Sequence, residues 1–178
     1  MPPDPRHSNP TPRENHIQQK SPFHFIFNNR LGFESGMLTS GGGGTFYWFR
    51  NDESSSELQG IVVIFGWGSI QLKNYINLYS SRGWNSLVVV SNFFNPFFPE
   101  RATSLAFSVL NELLEELRAR PCPLVLASFS GGSQACMYKV FQIIEGTCEA
   151  HLNLDDNRLI MMACISGQMY DWSCQCNR

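Results

Sequence analysis

The sequence carries little net charge and no long hydrophobic run. Its 13 basic and 15 acidic residues give a formal net charge of −2, which provides no electrostatic footprint for a nucleic-acid partner. The longest apolar stretch, around 60–70, is interrupted by glycines and is shorter than the roughly 18–20 residues that a membrane span needs. We therefore predict no nucleic-acid binding and a soluble or at most peripheral protein.

Complete cofactor and metal motifs are also lacking. The glycine run Ser40–Gly44 is not followed by the Lys-Ser/Thr of a phosphate-binding loop, and Gln71 stands where a dinucleotide fingerprint starting at Gly66 needs its third glycine. Six cysteines are spread over apolar segments and the C-terminal end, which is typical of reduced thiols in an intracellular protein. We expect a flexible connection at the glycine run, no cofactor and no metal.

Composition divides the chain into three parts. Residues 1–22 are rich in proline and carry polar residues where a signal peptide needs an apolar core, so they predict a disordered leader. The aromatic runs Phe23–Phe27 and Thr45–Phe49 predict two antiparallel strands at one sheet edge. We assign 23–171 to one partial domain and 172–178 to a divergent tail.

From Gly60 onward, apolar strands alternate with amphipathic helices. The predicted strands are Ile61–Phe65, Leu87–Val90, Pro123–Ser128 and Leu159–Ile165. Apolar residues at helical spacing predict three helices: one that includes Leu72, one that begins near Thr103, and one over Gly132–Glu145. One face of the second helix carries Glu112, Glu115, Glu116 and Arg118, which we interpret as a solvated surface. This alternation predicts an α/β fold: a three-layer sandwich with a mainly parallel sheet.

Ligands in such sheets bind at the carboxyl ends of the strands. The loops that follow the predicted strands are Gly66–Ser69, Ser91–Arg101, Ser128–Gly132 and Ser166–Asp171. In the third loop, Ser128-Phe129-Ser130-Gly131-Gly132 has the small-x-Ser-x-small form of a nucleophile elbow, in which a strained turn between strand and helix exposes the serine. Ser130 is therefore our candidate nucleophile, and Ser128 and Gly132 are the small residues that let strand and helix pass closely.

Backbone amides beside this turn suit an oxyanion. The amide of Gly131 lies at the predicted N-terminus of a helix, and that of Trp67 follows an earlier strand, so these two are our candidate oxyanion donors. The alternative is that Ser130 only caps the helix or bonds locally in the turn.

Three segments together resemble the α/β-hydrolase-like family of transmembrane protein 53. They are "GIVVIFGWGSIQLKNYINLYSSRGW", "VLASFSGGSQACMY" and "RLIMMACISGQMYD", and the resemblance covers about Gly60 to Asp171. It implies an α/β-hydrolase-like fold, a small acyl substrate, Ser130 as nucleophile with a later acid and histidine, and an association with nuclear or other internal membranes.

The chain departs from that pattern after Ser130. Only His151 follows the serine, before the last predicted strand, and Asp171 has no later histidine to orient. We therefore expect a C-terminally shortened form that lacks the last strands and is inactive or nearly so. Two further hypotheses are a non-catalytic binding module that uses the aromatic loop Phe93, Phe94, Phe97 and Phe98, and a chain that does not fold stably.

Overall fold

Four parallel strands form one side of a mixed six-stranded sheet. A computed structural model describes residues 37–40, 43–50, 58–66, 69–92, 95–129, 131–148 and 155–170, with the backbone alone at 37–40, 69–71, 131–132 and 155. The strands are β1 (Met37–Ser40), β2 (Gly44–Phe49), β3 (Gly60–Gly66), β4 (Trp84–Ser91), β5 (Leu124–Ser128) and β6 (Ile165–Tyr170). The helices are α1 (Ser69–Ser80), α2 (Pro99–Ala119), α3 (Gly131–Glu145) and α4 (Asp155–Cys164).

The strand order is β1-β2-β4-β3-β5-β6. The strands β4, β3, β5 and β6 are parallel, whereas β2 runs antiparallel to β4 and to β1. The carboxyl ends of the four parallel strands therefore meet at one end of the sheet, which is where the candidate residues lie in sequence.

Helices cover both faces of the sheet. Ile61, Val63 and Phe65 of β3 belong to the core cluster that also contains buried residues of α2, α3 and α4. Successive side chains of a strand point to opposite faces, and on the other face Gly66 lies against Leu72 of α1. Every residue of β3 is buried, because the strand has a helical layer on each side.

This architecture is the α/β three-layer sandwich with a mainly parallel sheet that the sequence predicts. The predicted strands around Ile61–Phe65, Leu87–Val90 and Pro123–Ser128 are confirmed. The aromatic run Thr45–Phe49 is also a strand, β2, and its antiparallel neighbour toward the sheet edge is β1. The other predicted edge strand, Phe23–Phe27, lies outside the described residues, as does the predicted leader.

The predicted strand Leu159–Ile165 is wrong. Residues up to Cys164 belong to α4, and only Ile165 is in a strand, at the start of β6. The apolar run of this segment does not reflect burial on both faces, since Leu159 and Met162 are 65% and 56% exposed while Met161 alone is in the core. The loop predicted at Ser166–Asp171 is accordingly strand up to Tyr170.

The acidic face of α2 is more than a solvated surface. Trp48 donates an indole N–H to Glu112 at 2.7 Å, and the Arg50 guanidinium pairs with Glu116 at 2.8 Å. The Arg50 guanidinium also lies 4.6 Å from the centre of the Trp48 ring. Two of the four predicted surface residues therefore hold β2 against α2.

The glycine run is tightly packed at its end, which corrects the expectation of a flexible connection there. A Cβ atom at Gly43 would lie 2.2 Å from the Arg101 carbonyl oxygen, and one at Gly44 would lie 2.3 Å from the Val90 carbonyl oxygen. The Gly43 carbonyl accepts hydrogen bonds from the Asn92 amide at 3.1 Å and the Asn95 side chain at 2.7 Å. These two glycines are required by close backbone approach.

Candidate functional site

The candidate site is the turn that joins β5 to α3. The strand ends at Ser128 and the helix begins at Gly131, so the turn consists of Phe129 and Ser130. This is the strand-turn-helix order that the sequence predicts. Ser130 itself lies outside the described residues, and its role as nucleophile stays a prediction.

Phe129 fastens the turn to the neighbouring strand and to α1. Its amide donates to the Phe65 carbonyl of β3 at 3.0 Å, which extends the pairing of β5 with β3 by one residue. Its ring is 4% exposed, and the ring centre lies 4.1 Å from that of Tyr75 at an interplanar angle of 39°. Phe129 therefore anchors the backbone immediately before Ser130 on the α1 side of the sheet.

Ser128 fastens the turn on the opposite side. Its hydroxyl lies 2.9 Å from the hydroxyl of Ser133, the third residue of α3. Both side chains are buried, with exposed fractions of 1% for Ser128 and 0% for Ser133. The small size predicted for Ser128 fits this burial, but its hydroxyl also forms a specific contact that size alone does not predict. Sequence reasoning missed Ser133, whose only local signal is a hydroxyl in the first turn of a helix.

The N-terminus of α3 lies next to the turn. The first amides of a helix lack partners within the helix and carry a partial positive charge, and Gly131 begins α3. No acidic side chain occupies the first turn of this helix. The arrangement is able to stabilise a negatively charged oxygen that develops beside the turn.

The second predicted amide belongs to the loop after β3. This strand ends at Gly66 and α1 begins at Ser69. Because Phe65 is the register partner of Ser128, the loop after β3 and the β5–α3 turn start side by side. Trp67 follows Gly66 in sequence but lies outside the described residues, so its role also stays a prediction.

Two titratable groups near this end of the sheet, Cys136 and Tyr170, have a raised pKa. Burial raises the pKa of the Cys136 thiol, one turn beyond Ser133, and a contact with the Ser91 hydroxyl opposes this only in part. Burial, followed by the neighbouring Tyr138, raises the pKa of Tyr170. The structure therefore provides no ionised base among these groups at neutral pH. All four histidines and Asp171 lie outside the described residues.

A groove runs along α3 and β6 beside the turn. Its volume is about 690 Å³, and the side chains of Tyr138, Phe141, Ile165 and Tyr170 form its apolar part, with Glu145 among its polar residues. Tyr170 is the register partner of Ser128, so the groove begins next to the residue that precedes the turn.

None of the helices in the described ranges is long and apolar enough to cross a membrane.

Comparison with known proteins gives structural matches only. No protein-family model and no curated protein sequence matches the chain. Among solved structures, the chain is similar to a highly thermostable carboxyl esterase from Bacillus coagulans, with 14% identity, a TM-score of 0.46, and coverage of 79% of this chain and 44% of that one. A cold-adapted esterase from an Arctic intertidal metagenomic library matches with 15% identity, a TM-score of 0.47, and coverage of 76% and 58%.

A third match is one of two fungal esterases from Rhizomucor miehei, with 15% identity, a TM-score of 0.48, and coverage of 85% of this chain and 47% of that one. The chain thus spans about half the length of these proteins. At such identities and TM-scores the matches carry no argument about activity, and none of them bears on the resemblance to the transmembrane protein 53 family.

Proposed function

We propose that the chain is a serine hydrolase-like protein whose nucleophile is Ser130, acting on an ester, thioester or related acyl substrate. The observation that carries this proposal is the turn itself. A buried strand leads into a two-residue connection, and the helix that follows begins at Gly131 and has no acidic residue in its first turn. A serine in such a turn lies between a strand end and a helix N-terminus, which is the setting of a nucleophile elbow.

The proposed chemistry is acyl transfer to the serine. The Ser130 hydroxyl gives its proton to a base from solvent as its oxygen forms a bond to the substrate carbonyl carbon. The carbonyl oxygen takes up the electron pair of the broken π bond, becomes negatively charged, and accepts hydrogen bonds from the amides of Gly131 and Trp67. Collapse of this intermediate breaks the bond to the leaving group, which takes up a proton. The groove that begins beside Ser128 supplies apolar surface for the acyl chain.

The 178-residue chain is expected to react slowly. A serine hydroxyl needs a general base to become a good nucleophile, and only His151 follows Ser130 in this sequence, ahead of β6. Removal of triad members leaves a residual rate that comes from the oxyanion donors and from binding. We therefore expect selective modification of Ser130 with little turnover.

Labelling with a fluorophosphonate tests this proposal. The Ser130 oxygen forms a bond to phosphorus, fluoride leaves, and the hydroxyl proton passes to solvent base. We expect mass spectrometry to find the label on Ser130 ahead of the other serines, and we expect Ser130→Ala to remove it. Ser86→Ala is the matched control, because Ser86 is buried in β4 away from the turn. The absence of label on Ser130 in chain that shows a cooperative thermal melt contradicts the proposal.

A second candidate function is a binding module that uses the aromatic loop before α2. Phe97 and Phe98 are 70% and 42% exposed, which is unusual for large apolar side chains and typical of contact surfaces. The loop is held by Asn95, which is 1% exposed and bonded to the Gly43 carbonyl. The other two phenylalanines of this predicted surface, Phe93 and Phe94, lie outside the described residues.

Replacement of the exposed phenylalanines separates the two functions. If the chain is a binding module, the double variant Phe97→Ala, Phe98→Ala is expected to lose binding to its partner protein, or to stop sedimenting together with phospholipid vesicles. Leu78→Ala is the control, since Leu78 is 45% exposed on α1, and Ser130→Ala is expected to have no effect. Equal binding by all of these variants counts against the aromatic surface.

A further inference from the structure

We propose that the buried hydroxyl pair of Ser128 and Ser133 positions Ser130, an inference that rests on the proposed hydrolase function. The pair joins the last residue of β5 to the third residue of α3 at 2.9 Å. Ser128 precedes Ser130 by two positions, and Ser133 follows it by three. The hydrogen bond therefore closes a loop of backbone that contains the candidate nucleophile and the Gly131 amide.

The pair and Phe129 hold the turn from opposite faces of the sheet. Ser128 and its register partner Phe65 face the layer of α2 and α3, where Ser133 lies. Phe129 contacts Tyr75 of α1 on the other face, and its amide bonds to β3. The backbone on either side of Ser130 is therefore held by these contacts.

The hydroxyl groups, and not only the small volume, are required for this role. Alanine at both positions would occupy nearly the same space without removing two hydroxyl groups from water, which is costly unless they are bonded. A bond between hydroxyls is directional, whereas contact between methyl groups is not. Ser128 and Ser133 are therefore positioning residues, and neither needs to touch the substrate.

The first test measures the rate of fluorophosphonate labelling at Ser130. A displacement of about 1 Å at a reacting atom can change a rate by about 10²-fold, so we expect Ser128→Ala and Ser133→Ala each to slow labelling by about tenfold or more. The double variant is expected to be no slower than the slower single variant, because each change removes the same hydrogen bond between Ser128 and Ser133. Ser133→Thr keeps the hydroxyl at the same position, and we expect a rate closer to the wild type than that of Ser133→Ala wherever this variant is folded.

Ser86→Ala is again the matched control. It removes a hydroxyl that is equally buried, at 1% exposure, but lies in β4 opposite Phe49 and Val62, and we expect its labelling rate to stay within about twofold of the wild type. All rates are compared under conditions where each variant is folded, as shown by its thermal melt. Wild-type rates in Ser128→Ala and Ser133→Ala would overturn the inference.

Amide hydrogen exchange separates this inference from the proposed function. We expect Ser133→Ala and Ser128→Ala to speed exchange at Phe129–Ser133 without changing exchange in β3, and Ser86→Ala to leave the turn unchanged. Unchanged exchange in the turn overturns the positioning role. If the wild type is not labelled but exchange responds as expected, the hydrolase proposal fails while the pair is retained as the contact that fixes the turn.

Discussion

Ile61 and Ile165 lie on the two sides of the same residue. Ile61 of β3 and Ile165 of β6 are both register partners of Leu124 in β5. Ile61 is completely buried and Ile165 is only partly buried. Both pairings are parallel, but the register of β6 with β5 shifts between Leu124 and Val125, whereas that of β3 with β5 is regular. The two positions therefore differ in pairing as well as in what lies above, below and beyond each strand.

The two strands differ throughout in the same way. All seven residues of β3 are buried, with β4 and β5 on its two sides and helices on its two faces. β6 alternates between partly buried and exposed residues, and within the described part of the chain it is the outermost strand on the parallel side of the sheet. The candidate turn follows β5, between these two environments, and the Phe129 amide of the turn bonds to the Phe65 carbonyl of β3. We therefore expect the turn to depend more on β3 than on β6.

Truncation of the two isoleucines is the strongest way to measure this difference. Ile61→Ala removes fully buried methyl groups, and such changes typically cost about 2–5 kcal/mol in the free energy of unfolding. Ile165→Ala removes the same groups from a partly exposed site, and we expect a cost of about 1 kcal/mol or less. Urea denaturation of both variants, compared with the wild type, gives the two values.

Leu124 serves as the shared reference for this pair. Its side chain is completely buried and lies between the two isoleucines, so rearrangement around it affects both variants. Equal losses in Ile61→Ala and Ile165→Ala would show that β6 is as strongly integrated as β3, and would contradict the comparison.

The same contrast explains which strands the sequence reveals. A strand buried on both faces needs a continuous apolar run, and "IVVIF" in β3 is such a run. The strand β6 has the sequence "ISGQMY", which includes glycine, serine and glutamine, because an edge position does not demand apolar residues on both faces. The more apolar segment just before it was therefore predicted as the strand, although it forms α4.

Local sequence patterns do not predict contacts between segments that are far apart in the chain. The bonds of Trp48 and Arg50 to α2 join residues 64 and 66 positions apart, so the acidic face of that helix reads as solvated when taken alone. The same is true of the candidate site, of which one part is predicted from local sequence and the other is not. The spacing of small residues around Ser130 predicts the turn, but the partner of Ser128 depends on how α3 is oriented, and only the structure shows that it is Ser133.

Two glycines, one in β3 and one in β6, test the same difference between the strands through smaller expected changes in the free energy of unfolding. Gly60 begins β3, and a Cβ atom there would lie 2.7 Å from the Pro123 carbonyl oxygen and 2.6 Å from the Trp84 ring. The Pro123 carbonyl accepts the Ile61 amide at 2.9 Å and is therefore held in place. We expect Gly60→Ala to cost about 1–3 kcal/mol in the free energy of unfolding, as overpacked sites do.

Gly167 is the matching position in β6. A Cβ atom there would have its nearest neighbour at 3.8 Å, a methyl group of Val125, which is an ordinary contact. Alanine also lowers the conformational entropy of the unfolded chain, so we expect Gly167→Ala to be neutral or to stabilise the fold by up to about 1 kcal/mol. Thermal and urea unfolding of the two variants measure both effects. A loss in Gly167→Ala as large as that in Gly60→Ala would mean that β6 is packed as closely as β3, and its half-exposed pattern would no longer describe a loosely held edge.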